Sequence, residues 1–141
     1  SAPMLNGTAY FDTLKQAAGV LNLSAINHDY LYSSDRMAHA MGNGCLTYID
    51  RHTGFGDLFG EDEAGFFGSA EELIEQIERF RKSPAERAKA AERGWKHYHA
   101  LFNETAVAGY AASLLDGSFN AADYPFPTLV QAETGAAETE A

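Results

Sequence analysis

Arg36 stands two residues after the Ser33-Ser34 pair and three before His39, and this spacing suits the capture of an anion. Ser33 or Ser34 can cap the first free backbone N–H groups of a helix. Gly42 and Gly44 can supply the left-handed turn that ends it. An arginine just inside such a helix start sets a fixed positive charge beside unpaired N–H groups and the positive end of the helix dipole. That combination is the physics of a phosphate seat. Further polar groups stand upstream: Asn22 at the end of an apolar run, then Asn27, His28 and Asp29 in the stretch behind it. Asn22 and His28 join Ser33, Ser34, Arg36 and His39 as the candidate binding residues. His28 is the best base among them by side-chain type. For Asn27 and Asp29 ordinary turn chemistry is the preferred reading.

The elements that must position these groups follow from periodicity. Thr8 opens a helix to about Ala18, with Tyr10, Phe11, Leu14 and Ala18 on one face. Val20 to Leu23 reads as a buried strand, Ser24 to Tyr32 as a polar loop, and Cys45 to Ile49 as a second strand. Arg51 to Asp62, with Gly54, Gly56 and Gly60, is a shaped loop lying on the protein. Ala64 to Phe67 makes a third strand. Ser69-Ala70-Glu71-Glu72 is a capping box for a helix whose Leu73, Ile74, Ile77 and Phe80 form a core stripe. Ser83-Pro84-Ala85-Glu86 opens another helix, through Ala88, Ala91, Trp95, Tyr98 and Phe102. Gly94 inside it costs about 1 kcal/mol relative to alanine, so close packing or a kink is expected there. Asn103 caps a last helix, with Val107, Tyr110, Ala111 and Leu114 on its buried side, and Gly117 ends it. Three short strands alternating with helices predict an α/β fold with a three-stranded parallel sheet flanked by helices. Ligands of such sheets bind beyond the strands' carboxyl ends, and the polar loops there flank the Ser33–Arg36 segment.

The run Arg36-Met37-Ala38-His39-Ala40-Met41-Gly42-Asn43-Gly44, followed by an apolar strand, resembles the donor-site motif in the C-terminal domain of two-domain (GT-B) glycosyltransferases. The likeness is closest to the bacterial glycosyltransferase-like proteins related to spore maturation protein CgeB. It extends from about Tyr10 to Leu115 and includes the Glu-Glu-Leu helix and the Pro-x-Glu-Arg helix. No single motif is specific; the order of elements is. The resemblance implies half of a Rossmann-like GT-B C-terminal domain. It implies a metal-independent transferase in which Arg36, Ser33 and Ser34 meet the diphosphate of a nucleotide-sugar, with His39 near the ribose. The family usually has glutamate where His39 stands. A carboxylate can hold both ribose hydroxyls, whereas a neutral imidazole accepts one hydrogen bond.

The chain has 141 residues, 45% of them apolar, with 20 acidic against 10 basic side chains and a net charge of −10. One modest core is expected. Residues 1–117 are read as the partial nucleotide-sugar-binding domain and 118–141 as an extended tail with a disordered end. The acidic balance opposes nucleic acid as a partner. No apolar run approaches the length of a transmembrane segment, and the N-terminus has no signal-peptide character. Cys45 alone allows no intrachain disulfide, which suits a reducing cytoplasm. Cys45 itself reads as inert packing. His97 and His99 point to different faces of a helix, and Glu61-Asp62-Glu63 lacks a calcium-loop pattern, so no metal site is expected. No P-loop, dinucleotide fingerprint or nucleophile elbow is present.

Two functions follow. The first is the donor-binding part of a glycosyltransferase, with a nucleotide-sugar as donor substrate, no cofactor, and an unknown acceptor. The catalytic group is then supplied largely from elsewhere. The second is a catalytically inactive relative serving as an interaction or assembly module, with self-association through an open sheet edge at Val20 to Leu23. A weaker third reading, a small flavodoxin-like signalling domain, lacks the required cluster of acids at the strand ends, where Asp50 stands alone.

Overall fold

The computed structural model describes residues 7–23 and 30–124. Helix α1 spans Thr8–Gln16, strand β1 Val20–Asn22, helix α2 Asp35–Met41 and strand β2 Thr47–Asp50. Two 3-10 turns, Arg51–Thr53 and Phe55–Asp57, lead to strand β3, Gly65–Phe67. Helices α3 (Ala70–Lys82), α4 (Pro84–Leu101) and α5 (Glu104–Asp116) complete the main chain of elements. The sheet has the order β1-β2-β3 and is parallel throughout. This is the expected α/β architecture. The β2–β3 connection departs from the pattern, because the two 3-10 turns stand where a crossover helix would be.

Strand β2 is buried along its whole length. Ile49 stands beside Phe66 of β3 in the sheet register, and both enter a cluster with Met37, Met41, Phe55, Leu58 and Phe59. Tyr48 leaves by the opposite face and joins Leu46, Phe67, Phe80 and Ala90. The apolar run therefore feeds two cores, one on each side of the sheet, as a central parallel strand must.

Helix α4 joins the two. Ala90 and Ala91 belong to the Tyr48 side, whereas Tyr98 and Leu101 pack on the Ile49 side. Gly94 lies between them, buried, where a β-carbon would collide with the backbone oxygen of Glu63. The interior glycine is thus explained by close approach. Along the same crossing the Glu61–Glu63 acids are held one by one: Glu61 by Arg51, Asp62 by Arg93 at 2.8 Å, and Glu63 by His97 at 2.9 Å.

Several local expectations are corrected. Helix α1 stops at Gln16, with Ala17 extended, and Leu14 is its one buried residue. Strand β2 begins at Thr47 and includes Asp50, because Val20 pairs there with Thr47. Ser69 does cap α3 by accepting the Glu72 N–H at 3.2 Å, but Ser83 makes no such bond. Glu86 instead pairs with Arg79 of α3. Of the expected α3 stripe only Phe80 is buried; Ile74 and Ile77 are 62% and 41% exposed. The physical reason is that, among the described residues, the sheet ends at β1. Ile77 and Leu21 line an open hollow there with Ala18, Gly19 and Tyr48. Helix α5 has no buried residue at all, and Val107 and Leu114 face solvent. Its Asn103 cap and the left-handed Gly117 stop are as expected. Beyond α5, Tyr124 packs against Tyr110 and Phe119; the tail that follows lies outside the described residues. Among the described residues no helix is long and apolar enough to cross a membrane.

Gly94→Ala tests the α4 crossing. Helix propensity alone favours alanine by about 1 kcal/mol. Forcing a methyl group against a backbone carbonyl carries an overpacking cost of about 1–3 kcal/mol. Urea denaturation should show a net loss of stability, and a gain would disprove the close contact.

Candidate functional site

The carboxyl ends of the three strands lie along one edge of the sheet: Asn22 and Leu23, then Asp50, then Phe67 and Gly68. At the β1 end, helix α2 begins with Ser34 as its N-cap. Neither serine caps through its side chain, contrary to expectation. Ser33 Oγ donates to the Ser34 carbonyl at 3.1 Å, and Ser34 Oγ is buried without a partner. Gly42 remains right-handed at the end of α2, and Gly44 takes the left-handed turn.

Arg36 occupies the first turn of α2, and its Nη1 donates to the Leu23 carbonyl at 2.8 Å. The guanidinium is thereby held at the carboxyl end of β1. An arginine carries five donors, so one bond of this kind positions the group without exhausting it. Asn22 is buried to 1% exposure, and neither its Nδ2 nor its Oδ1 has a partner. An orphaned buried polar group costs about 1–3 kcal/mol. Both sets of orphans, at Asn22 and Ser34, sit where β1 gives way to α2.

His39 has a different environment. Its ring meets Tyr10 and Phe11 of α1 edge-on, at 5.6 and 5.3 Å. His28, with Asn27 and Asp29, lies outside the described residues. The structure therefore brings Arg36, with Ser33 and Ser34 just ahead of it in the chain, to the end of β1 that carries Asn22, and sets His39 against α1.

Two arrangements escaped the sequence reading. The first laces the β1–α2 and β2–β3 connections together. Leu31 N–H donates to the Thr53 carbonyl at 2.8 Å, with Leu31 itself in the left-handed region at φ 56°. Tyr30 Oη donates to Asp57 at 2.9 Å, and that bond holds the phenol proton, raising its pKa. The Tyr30 ring lies over Gly54, where a β-carbon would come within 2.5 Å of it. Gly54 also has φ 78°, so glycine is required there on both counts.

The second arrangement is at the end of β2. Asp50 is buried and accepts two bonds at Oδ1: from His52 N–H at 3.0 Å and from His52 Nδ1 at 2.7 Å. An aspartate accepting the N–H two residues on is a recognisable turn signal in Asp50-Arg51-His52. Arg51 turns outward, where Glu61 and Glu72 flank it and the Glu61 bond raises its pKa further. Cys45 is half-buried, donates to Leu14 O at 3.4 Å, and has its thiol pKa raised by burial.

A family model described as glycosyl transferase-like matches residues 2–111 of the chain. No curated protein and no solved structure matches it.

Asn22→Leu is nearly isosteric and removes two orphaned polar atoms. Chemical denaturation should therefore show stability rising by about 1–3 kcal/mol. A loss of stability would mean that the native side chain is satisfied in solution.

Proposed function

The chain belongs to the glycosyl transferase-like family, and from that premise we propose that it forms the donor-binding part of a GT-B enzyme. In this reading the enzyme takes a sugar from a nucleotide-sugar and passes it to an acceptor, using no bound metal or cofactor. In the same reading it is kin to the CgeB-related bacterial proteins and works in the cytoplasm. One observation carries the reading: a guanidinium fixed at the carboxyl end of an edge strand, beside the start of a helix. As the sugar departs, negative charge gathers on the leaving diphosphate. Arg36 and the first amides of α2, near Ser33 and Ser34, neutralise that charge. Asn22 offers a donor and an acceptor to the donor molecule, which supports its survival as an unsatisfied buried amide. His28 remains a pocket candidate on side-chain chemistry alone.

A second reading is favoured by two particulars. His39 packs against Tyr10 and Phe11, an environment of ring contacts rather than of a ribose. In addition, among the described residues β1 pairs on one side only, with Leu21 and Ile77 uncovered beside it. These support a non-catalytic domain that assembles through the β1 edge with a second copy.

Calorimetric titration of the native protein with UDP-, GDP- and dTDP-sugars separates the two. The donor-binding reading expects heat with one of them and at least a tenfold loss of affinity, about 1.4 kcal/mol, in Arg36→Ala. No heat with any donor overturns it. Light scattering tests assembly: the wild type should run as a dimer and Leu21→Lys as a monomer, since a charge on an edge strand opposes pairing. A monomeric wild type at high concentration rules the dimer out.

A further inference from the structure

We propose that His52 takes the proton from the acceptor hydroxyl in sugar transfer, with Asp50 as its positioning residue; this rests on the donor-binding reading above. The observation is the doubly anchored pair at the end of the central strand. Asp50 is buried at the β2 terminus, and one carboxylate oxygen receives both the backbone N–H and the ring Nδ1 of His52. A helix-capping aspartate needs the first bond only. The second fixes the ring's rotation and its tautomer.

With Nδ1–H committed to Asp50, the neutral ring carries its lone pair on Nε2. The His52 side chain is 67% exposed, while Asp50 behind it is 12% exposed. A buried carboxylate, an oriented imidazole and an open far nitrogen are the parts of a general base. The ring stands near Gly68, at the carboxyl end of β3. Arg36 is held at the carboxyl end of β1, two strand spacings or about 10 Å along the same edge. In this proposal the donor's diphosphate rests by Arg36 and its glycosyl carbon lies along that row toward His52.

Among the described residues, the other charged groups around the ring have partners of their own. Arg51 pairs with Glu61 and approaches Glu72 at 3.9 Å, and Glu72 accepts the Gly68 N–H at 2.7 Å. Asp50 is thus the carboxylate that engages the imidazole.

In the step itself, the acceptor O–H bond breaks and its proton moves to Nε2. The freed oxygen pair forms the bond to the anomeric carbon. The bond from that carbon to the diphosphate oxygen breaks, and its electrons leave with the diphosphate. Water in place of the acceptor gives donor hydrolysis by the same route.

The test uses the native protein and hydrolysis of UDP-, GDP- and dTDP-glucose, with donor affinity measured alongside. His52→Gln should lower kcat about 100-fold or more and leave donor affinity unchanged. Asp50→Asn should lower kcat with melting curves confirming a folded protein, and Asp50→Glu should restore part of it. Imidazole nitrogen NMR should show the proton on Nδ1 at neutral pH, independently of turnover. Equal hydrolysis by His52→Gln, or a proton on Nε2, overturns the proposal while leaving donor binding intact. A wild type that binds no donor overturns both.

Discussion

The whole molecule depends on one strand being dry on both faces. Thr47–Asp50 has neighbours in the sheet on both sides, a wall of Met37, Met41 and Phe59 above and Phe80 and Ala90 below. Burial of apolar surface stabilises this arrangement, and it also removes any freedom in register. A slip of one residue would send Ile49 and Tyr48 to the wrong cores and draw Asp50 into the apolar interior. The strand must therefore end where it does, with its last carboxylate at the rim. The polar groups of the candidate site inherit their positions from that constraint.

Two consequences follow along the rim. The connection leaving β2 cannot wander, because Asp50 ties its first turn while Phe55, Leu58 and Phe59 are drawn into the core. The connection leaving β1 is in turn fastened to it through Leu31 and Tyr30. Binding loops are usually the least stable parts of a domain; here the described portions are braced against one another. Such bracing is what an electrostatic site needs, since a charge helps a reaction most when it has no reorganising left to do.

Much of this was legible in the residues. The alternation of short apolar runs with helical periods gave the parallel sheet, and Ser69, Asn103 and Gly117 marked element ends where their chemistry is local. Gly94 announced a close contact or a kink, because glycine inside a helix is otherwise a cost, and the contact with Glu63 is what the structure has. What could not be read was tertiary. Ile74 and Ile77 have the same period as Phe80, and only the position of the sheet's edge decides which of them is covered. Val107 and Leu114 look like a buried face until α5 is seen to run past the core. His39 sits in the motif by sequence, yet its aromatic neighbours come from α1, some thirty residues away. The Asp50–His52 pair was readable from spacing, and was missed because Asp50 was sought as one of a cluster of acids.

The crossing of α4 at Gly94 has a dynamic corollary. The helix backbone there rests directly on the carbonyl of Glu63, without side chains between to absorb displacement. The turn ahead of β3 and the middle of α4 must consequently loosen together, as one cooperative unit in amide hydrogen exchange. The same unit touches both cores, so a fluctuation on one side of the sheet is transmitted mechanically to the other.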